Sequence, residues 1–289
     1  MVNPNYYVAL LLSPALFFVS ARLFSKLKSR AGKRRYITIS FIMALISLTI
    51  PAAYFSNTIG ESPGYAQFRV LAYSELLVCL SAPFAGVVYV WITSALSKTD
   101  GKRWLKRSIY LLCLFTVLGY TSLPFVKQLA KPRPFYPDAA TIGNRWVDGV
   151  ALQTTPSTCG PASLATILAR YGSTETEADI AVQAYSSSRG TENWYLARYA
   201  QRLGYQYRFL TETDIAKVPT PSIIGVNVNR LNRAGNPSRA GHFITLLDSR
   251  DGYHLIADSL SGLHRLTAEE FEQKYRYRGF VLHIMKAEG

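Results

Sequence analysis

The chain has 289 residues, three cysteines, 49% hydrophobic residues and a formal net charge of +14, a length that suits about two domains. Residues 1–146 carry 17 Lys and Arg against 4 Asp and Glu, while residues 147–289 carry 15 against 14, so nearly all the excess charge lies in the first half. Its basic residues sit in short loops between apolar runs, which is a membrane-topology pattern; it lacks the basic face of a folded nucleic-acid-binding domain, so no nucleic-acid partner is expected.

Four apolar segments, 7–24, 37–55, 71–96 and 108–126, each reach or nearly reach the ~20 residues that cross a bilayer. They predict an all-α transmembrane region of four helices over residues 1–126, with the lipid bilayer as a partner. The first segment does not read as a signal peptide, because its basic cluster follows it. Lys26, Lys28, Arg30, Lys33, Arg34 and Arg35 mark the first inter-segment loop as cytoplasmic, and Lys98, Lys102, Arg103, Lys106 and Arg107 mark the third. Both termini then lie outside the cytoplasm; Lys127, Lys131 and Arg133 oppose this with fewer charges. Glu75 lies close enough to the outer boundary to reach the headgroups. Residues 127–148, with three prolines and little periodicity, read as a linker.

Cys79 and Cys113 fall in apolar runs and read as small hydrophobes. Cys159 is then the one thiol of the second half, which excludes a disulfide framework and a Cys-rich zinc site there. After Cys159, the residues Leu164, Ile167, Leu168 and Tyr171 form the apolar stripe of a helix, with Pro161 in its first turn and Gly172 as its stop. Cys159 therefore opens a helix, where the dipole favours the reactive thiolate. Gln153 stands six residues earlier. Its side-chain amide and the Cys159 backbone N–H can together hold a developing oxyanion.

The remaining elements predict an α+β domain. A helix is expected at about 192–203, and strands at 205–210 and 222–228. Residues 229–240, rich in Asn, Arg and Gly, read as a loop beside the site. Gly241–Asp248 and Tyr253–Asp258 read as strands joined by the Asp251-Gly252 turn. Antiparallel pairing brings His242 and Asp258 to one end of the sheet, as a base and its orienting group require, although a bulge would alter the register. His254, His264 and His283 read as surface or satisfied residues. No two histidines have the spacing of a helical metal pair, so neither metal nor cofactor is expected. Thr267–Tyr275 reads as a capped helix and Gly279–Met285 as the last strand.

Four signals now stand in order: Gln153 with Cys159-Gly160-Pro161-Ala162, Thr191 to Gly204, Gly241-His242-Phe243, and Ala257-Asp258-Ser259. Together they resemble the C39 peptidase family, the papain-like double-glycine peptidases, over about residues 149–286. The resemblance implies a papain-like cysteine peptidase domain at 149–289, with Cys159 as nucleophile, His242 as general base and acid, Asp258 as orienter and Gln153 as oxyanion donor. It implies a peptide or protein substrate, and an export or assembly complex as partner. The apolar segments and their loop charges, which the resemblance does not cover, place the chain in a bacterial inner membrane as a multi-pass protein with a periplasmic or extracytoplasmic peptidase domain. Exporter-linked members carry this domain ahead of a transporter and its ATP-binding domain. Here no Walker A sequence occurs, the domain follows the apolar segments, and Ser259 stands where Pro is frequent. A non-catalytic peptide-binding module and a thiol amidase or acyltransferase remain the alternatives on the same fold.

Overall fold

The computed structural model describes residues 2–30, 32–55, 62–96, 103–129, 142–187, 190–231 and 237–287. These fall into two compact units, one made of Val2–Gly60 and Tyr73–Ala130, the other of Glu61–Ala72 and Lys131–Gly289. In chain order the first half forms α1 (Asn5–Arg30), α2 (Lys33–Phe55), α3 (Pro63–Val70), a 3-10 segment (Ser74–Leu80) leading into α4 (Ser81–Ala95), and α5 (Arg103–Leu129). Most of the expected 127–148 linker lies outside the described residues.

Among the described residues, two stretches, Asn5–Arg30 and Ser74–Ala95, are long and apolar enough to cross a membrane. Helix α1 packs closely on α4 at Gly86, where an added Cβ would collide with the Ser20 side chain and come within 2.9 Å of the Ala21 backbone nitrogen. Small residues permit such approaches between apolar helices. The third apolar segment departs from expectation. It does not begin a continuous helix at residue 71: Tyr73 adopts φ 65°, and the turns after it are 3-10 rather than α. Glu75 is buried in this unit, where its carboxylate accepts a hydrogen bond from Asn5 Nδ2 at 3.1 Å.

The second unit begins in sequence with α3, between the second and third apolar segments. Ser62 caps it by accepting from the Tyr65 N–H, and Pro63 supplies the preset φ of the first turn. From residue 142 onward come the hairpin β1 (Arg145–Val147) and β2 (Val150–Leu152), then α6 (Cys159–Arg170), α7 (Glu177–Gln183), α8 (Asn193–Arg202), β3 (Gln206–Thr211), β4 (Ser222–Leu231), β5 (Pro237–Arg250), β6 (Tyr253–Asp258), β7 (Gly262–Thr267), α9 (Ala268–Lys274) and β8 (Arg276–Met285). The main sheet is antiparallel, in the order β3-β8-β4-β5-β6-β7.

Alternation along the strands divides the core between the two faces of the sheet. Ile223 and Leu282 join Leu164, Ile167, Leu168 and Leu196 of α6 and α8. Their sequence neighbours Ile224 and Val281 turn the other way, to Ile244, Leu246, Ile256 and Phe271. Residues 229–231 and 237–240 are strand rather than loop, and residues 232–236 lie outside the described residues. Asn229 pairs with Arg239 and Leu231 with Pro237, so the hairpin runs on past the expected boundary. Satisfying the backbone along the ladder outweighs the weak strand preference of Asn229 there.

Helix α3 is fastened to α8 by Arg198. Its guanidinium donates to the carbonyls of Arg69 at 2.6 Å, Val70 at 3.1 Å and Leu71 at 3.0 Å, which a helix C-terminus leaves without intrahelical partners. Arg69 in turn lies over the Trp194 ring at 4.6 Å, and Tyr65 meets the same ring edge-on. We predict that Arg198→Ala releases α3 while the sheet stays folded. The cost is about 1.5–3 kcal/mol, as for a hydrogen bond to a charged group. Hydrogen exchange on the full chain should show amides 63–71 losing protection and those of α6 keeping it. Unchanged protection in α3 would refute the fastening role.

Candidate active site

The loop from Gln153 to Thr158 delivers Cys159 to the first position of α6, and its side chains lock it. Thr155 Oγ1 lies 3.2 Å from Ser157 Oγ and 3.0 Å from Thr158 Oγ1, and the Thr155 N–H donates to Thr158 Oγ1. Beneath the loop sits Glu177, only 2% exposed. Its carboxylate accepts from the Thr154 N–H at 2.9 and 3.1 Å and from the Thr154 hydroxyl at 2.9 Å. Burial pushes the Glu177 pKa up, and bonds from Thr158 and Thr154 offset part of that rise. Gly160 lets the helix start approach α8, since a Cβ there would stand 2.9 Å from Leu196 Cδ1.

Two side-chain bonds join the first turns of α6 to β5. Ser163 Oγ donates to the Phe243 carbonyl, and Thr245 Oγ1 donates to the Ser163 carbonyl, each at 3.2 Å. They clamp the Cys159 helix to the strand that carries His242. On the next strand, pairing runs Thr245 to Ala257 and Leu246 to Ile256, then shifts at a bulge so that Asp248 meets Leu255. His242 and Asp258 nevertheless come together: His242 Nε2 donates to Asp258 Oδ1 at 2.9 Å, with both side chains about 5% exposed or less. Cys159 lies near enough to this imidazole to favour its charged form.

Asp258 has three further donors. The Leu260 N–H adds a second bond to Oδ1 at 2.9 Å, while Tyr275 Oη and Ser261 Oγ reach Oδ2 at 2.7 and 3.1 Å. Burial alone would raise the carboxyl pKa. The bonds from His242, Leu260 and Tyr275 reverse that and hold it well below the usual carboxylate range. Burial likewise disfavours charge on His242, but the bond to Asp258 and the nearby Cys159 outweigh it and lift the imidazole to about 9.

Gln153, His242 and Asp258 line one cleft of about 350 Å³, together with Asn229, Leu260 and Tyr275. The Gln153 side chain donates from Nε2 to the Thr155 carbonyl at 2.6 Å and accepts at Oε1 from Ser259 Oγ at 2.7 Å. The other histidines have their own partners: His254 with Ser249, His264 with Ser261 and Lys274, and His283 with the Pro221 carbonyl. Sequence reasoning had not singled out Glu177 or Tyr275. The capping box Thr176-x-x-Asp179 could have revealed the short helix that carries Glu177. Nothing local marks Tyr275, which reaches Asp258 from 17 residues away.

A family model described as the Peptidase C39 family matches residues 149–289. Among solved structures, a double-glycine motif protease from an AMS/PCAT transporter, in complex with its leader peptide, is 22% identical, with a TM-score of 0.40 over 54% of this chain and 100% of that one. The peptidase domain of Streptococcus ComA is 20% identical, with a TM-score of 0.39 over 47% of this chain and 97% of that one. A C39-like peptidase from Bacillus anthracis is 17% identical, with a TM-score of 0.36 over 48% and 94%. No curated protein matches the chain.

The charged pair predicts a two-sided pH dependence of stability. His242 is raised from 6.5 to about 9, so its contribution is complete below pH 6.5 and is lost as pH rises through 9. By linkage a shift of that size is worth on the order of 3 kcal/mol. Asp258 is depressed from 3.8, so its contribution is present above pH 3.8 and is lost as pH falls below it. Pulse proteolysis of the full chain, reading the urea midpoint of the C-terminal unit, should fall on both sides of a plateau between about pH 4.5 and 6.5. In His242→Ala the alkaline decline should shrink; an alkaline limb identical to wild type would contradict the assignment.

Proposed function

We propose that this chain, whose residues 149–289 belong to the Peptidase C39 family, is a membrane-anchored cysteine peptidase acting outside the cytoplasm on a peptide or protein substrate. The observation that carries this reading is the His242 imidazole, bonded to buried Asp258 and close to Cys159, lining a cleft.

In the proposed reaction His242 takes the Cys159 proton, and the thiolate sulfur attacks the peptide carbonyl. The carbonyl electrons move onto oxygen, which accepts hydrogen bonds from the Gln153 side-chain amide and the Cys159 N–H. Collapse of this intermediate breaks the C–N bond, the imidazolium gives its proton to the departing amine, and a thioester remains on Cys159. Water then attacks the thioester with His242 as base, the same two donors hold the second oxyanion, and the carboxylic product leaves as the thiol is restored. Asp258 keeps the imidazole oriented and stabilises its charged form.

The membrane reading is supported by the apolar helices Asn5–Arg30 and Ser74–Ala95 and by the basic loops of the first half. An extracytoplasmic placement is supported by α3. It lies between the second and third apolar segments, on the side opposite the two basic loops in that topology, and it packs on α8 within the same compact unit as the peptidase residues. Segments in contact share a compartment.

The test compares new protein N-termini in cells carrying wild-type chain or Cys159→Ala. Cleavages dependent on the wild type should vanish in Cys159→Ala and fall about 100- to 1,000-fold in rate in Gln153→Ala, the usual cost of one oxyanion donor. Wild-type cleavage persisting in Cys159→Ala would overturn the mechanism.

A further inference from the structure

The hydrogen bonds around Gln153 assign a role to a residue outside the four expected at the site. The Thr155 carbonyl can only accept, so the Gln153 atom 2.6 Å from it must be the amide nitrogen. The amide oxygen then faces Ser259, and the Ser259 hydroxyl must be the donor in their 2.7 Å contact. Ser259 is itself buried, and its own carbonyl accepts from the Gln153 backbone N–H at 2.9 Å. Residue 153 is thus gripped at both backbone and side chain. An amide nitrogen has two N–H groups. With one spent on Thr155, this arrangement leaves the second for the cleft that Gln153 lines beside His242.

We propose that Ser259 is a positioning residue for the oxyanion donor: its hydroxyl fixes the rotation of the Gln153 amide so that an N–H, and not the carbonyl oxygen, faces the reacting carbonyl. Ser259 touches no substrate atom and acts through Gln153. The amide plane has two nearly isosteric orientations, and only one of them stabilises negative charge. Ser259 rewards that orientation at one end of the amide while Thr155 rewards it at the other. The inference rests on the reading of Gln153 as oxyanion donor, and the test separates the two.

The test uses two probes of Cys159 on the full chain, with Cys159→Ala as the blank. Acylation by p-nitrophenyl acetate passes through an oxyanion, whereas alkylation by iodoacetamide is a direct displacement at carbon and does not. Ser259→Ala should slow acylation about 3- to 10-fold, the rate equivalent of one ordinary hydrogen bond, and leave alkylation unchanged. Ser259→Thr, which keeps the hydroxyl, should restore acylation. Adding Ser259→Ala to Gln153→Ala should cause no further loss, because the two residues act as one unit. Wild-type acylation in Ser259→Ala, alongside slowed acylation in Gln153→Ala, would overturn the positioning role and leave the donor reading standing. Unchanged acylation in Gln153→Ala would overturn both. An equal fall of acylation and alkylation in Ser259→Ala would show a general disturbance of the site and reject the proposal.

Discussion

Asp258 puts a negative charge where only 3% of the residue meets solvent, and a charge so placed is tolerated only when its lone pairs are filled. Four donors fill them, and they come from separate pieces of chain. β5 supplies His242, the turn after β6 supplies the Leu260 N–H and the Ser261 hydroxyl, and the junction of α9 with β8 supplies Tyr275. None of these groups can drift without exposing the carboxylate to an unmet desolvation cost. The orientation of the imidazole toward Cys159 is thereby tied to the closing of the sheet and the seating of α9.

A second buried acid works by the opposite logic. Glu177 accepts from neutral donors, the amide and hydroxyl of Thr154, so burial wins and its pKa rises. Asp258 faces an imidazole that can carry charge, and its pKa falls. The first acid anchors the loop leading to the nucleophile, and the second sets the charge state of the histidine. The two acids therefore hold the two halves of the site from opposite sides, one through hydrogen bonding alone and the other through hydrogen bonding plus charge.

Much of this was legible in the chain itself. The stripe Leu164, Ile167, Leu168 located the Cys159 helix, and Asp251-Gly252 located the turn that returns β6 toward His242; both residues adopt positive φ in the structure. What escaped was set by contacts through space. Pattern alone could not show the bulge between Leu246 and Asp248, the distant reach of Tyr275, or the Ser259 hydroxyl bonded to Gln153. Residues 229–231 and 237–240 were misread as loop because ladder pairing overrode local preference. Helix α3 was missed for a different reason: its Ser62-Pro63 start is a clear signal, but it lies among apolar runs whose length dominated the reading.

Helix α3 also makes the C-terminal unit discontinuous in sequence. Ala66 and Val70 belong to the same apolar cluster as Trp194, Leu196 and Phe209, more than a hundred residues downstream. During synthesis from the N-terminus this short piece emerges first, and at eight residues it is too short to hold a helix alone. It must wait for α8 and Arg198 to arrive before its last carbonyls find partners. A fragment cut at the family boundary would begin after this piece and would leave the Trp194 face bare. The compact unit is therefore larger than the matched segment 149–289, and it is completed only when a later part of the chain comes back to meet an early one.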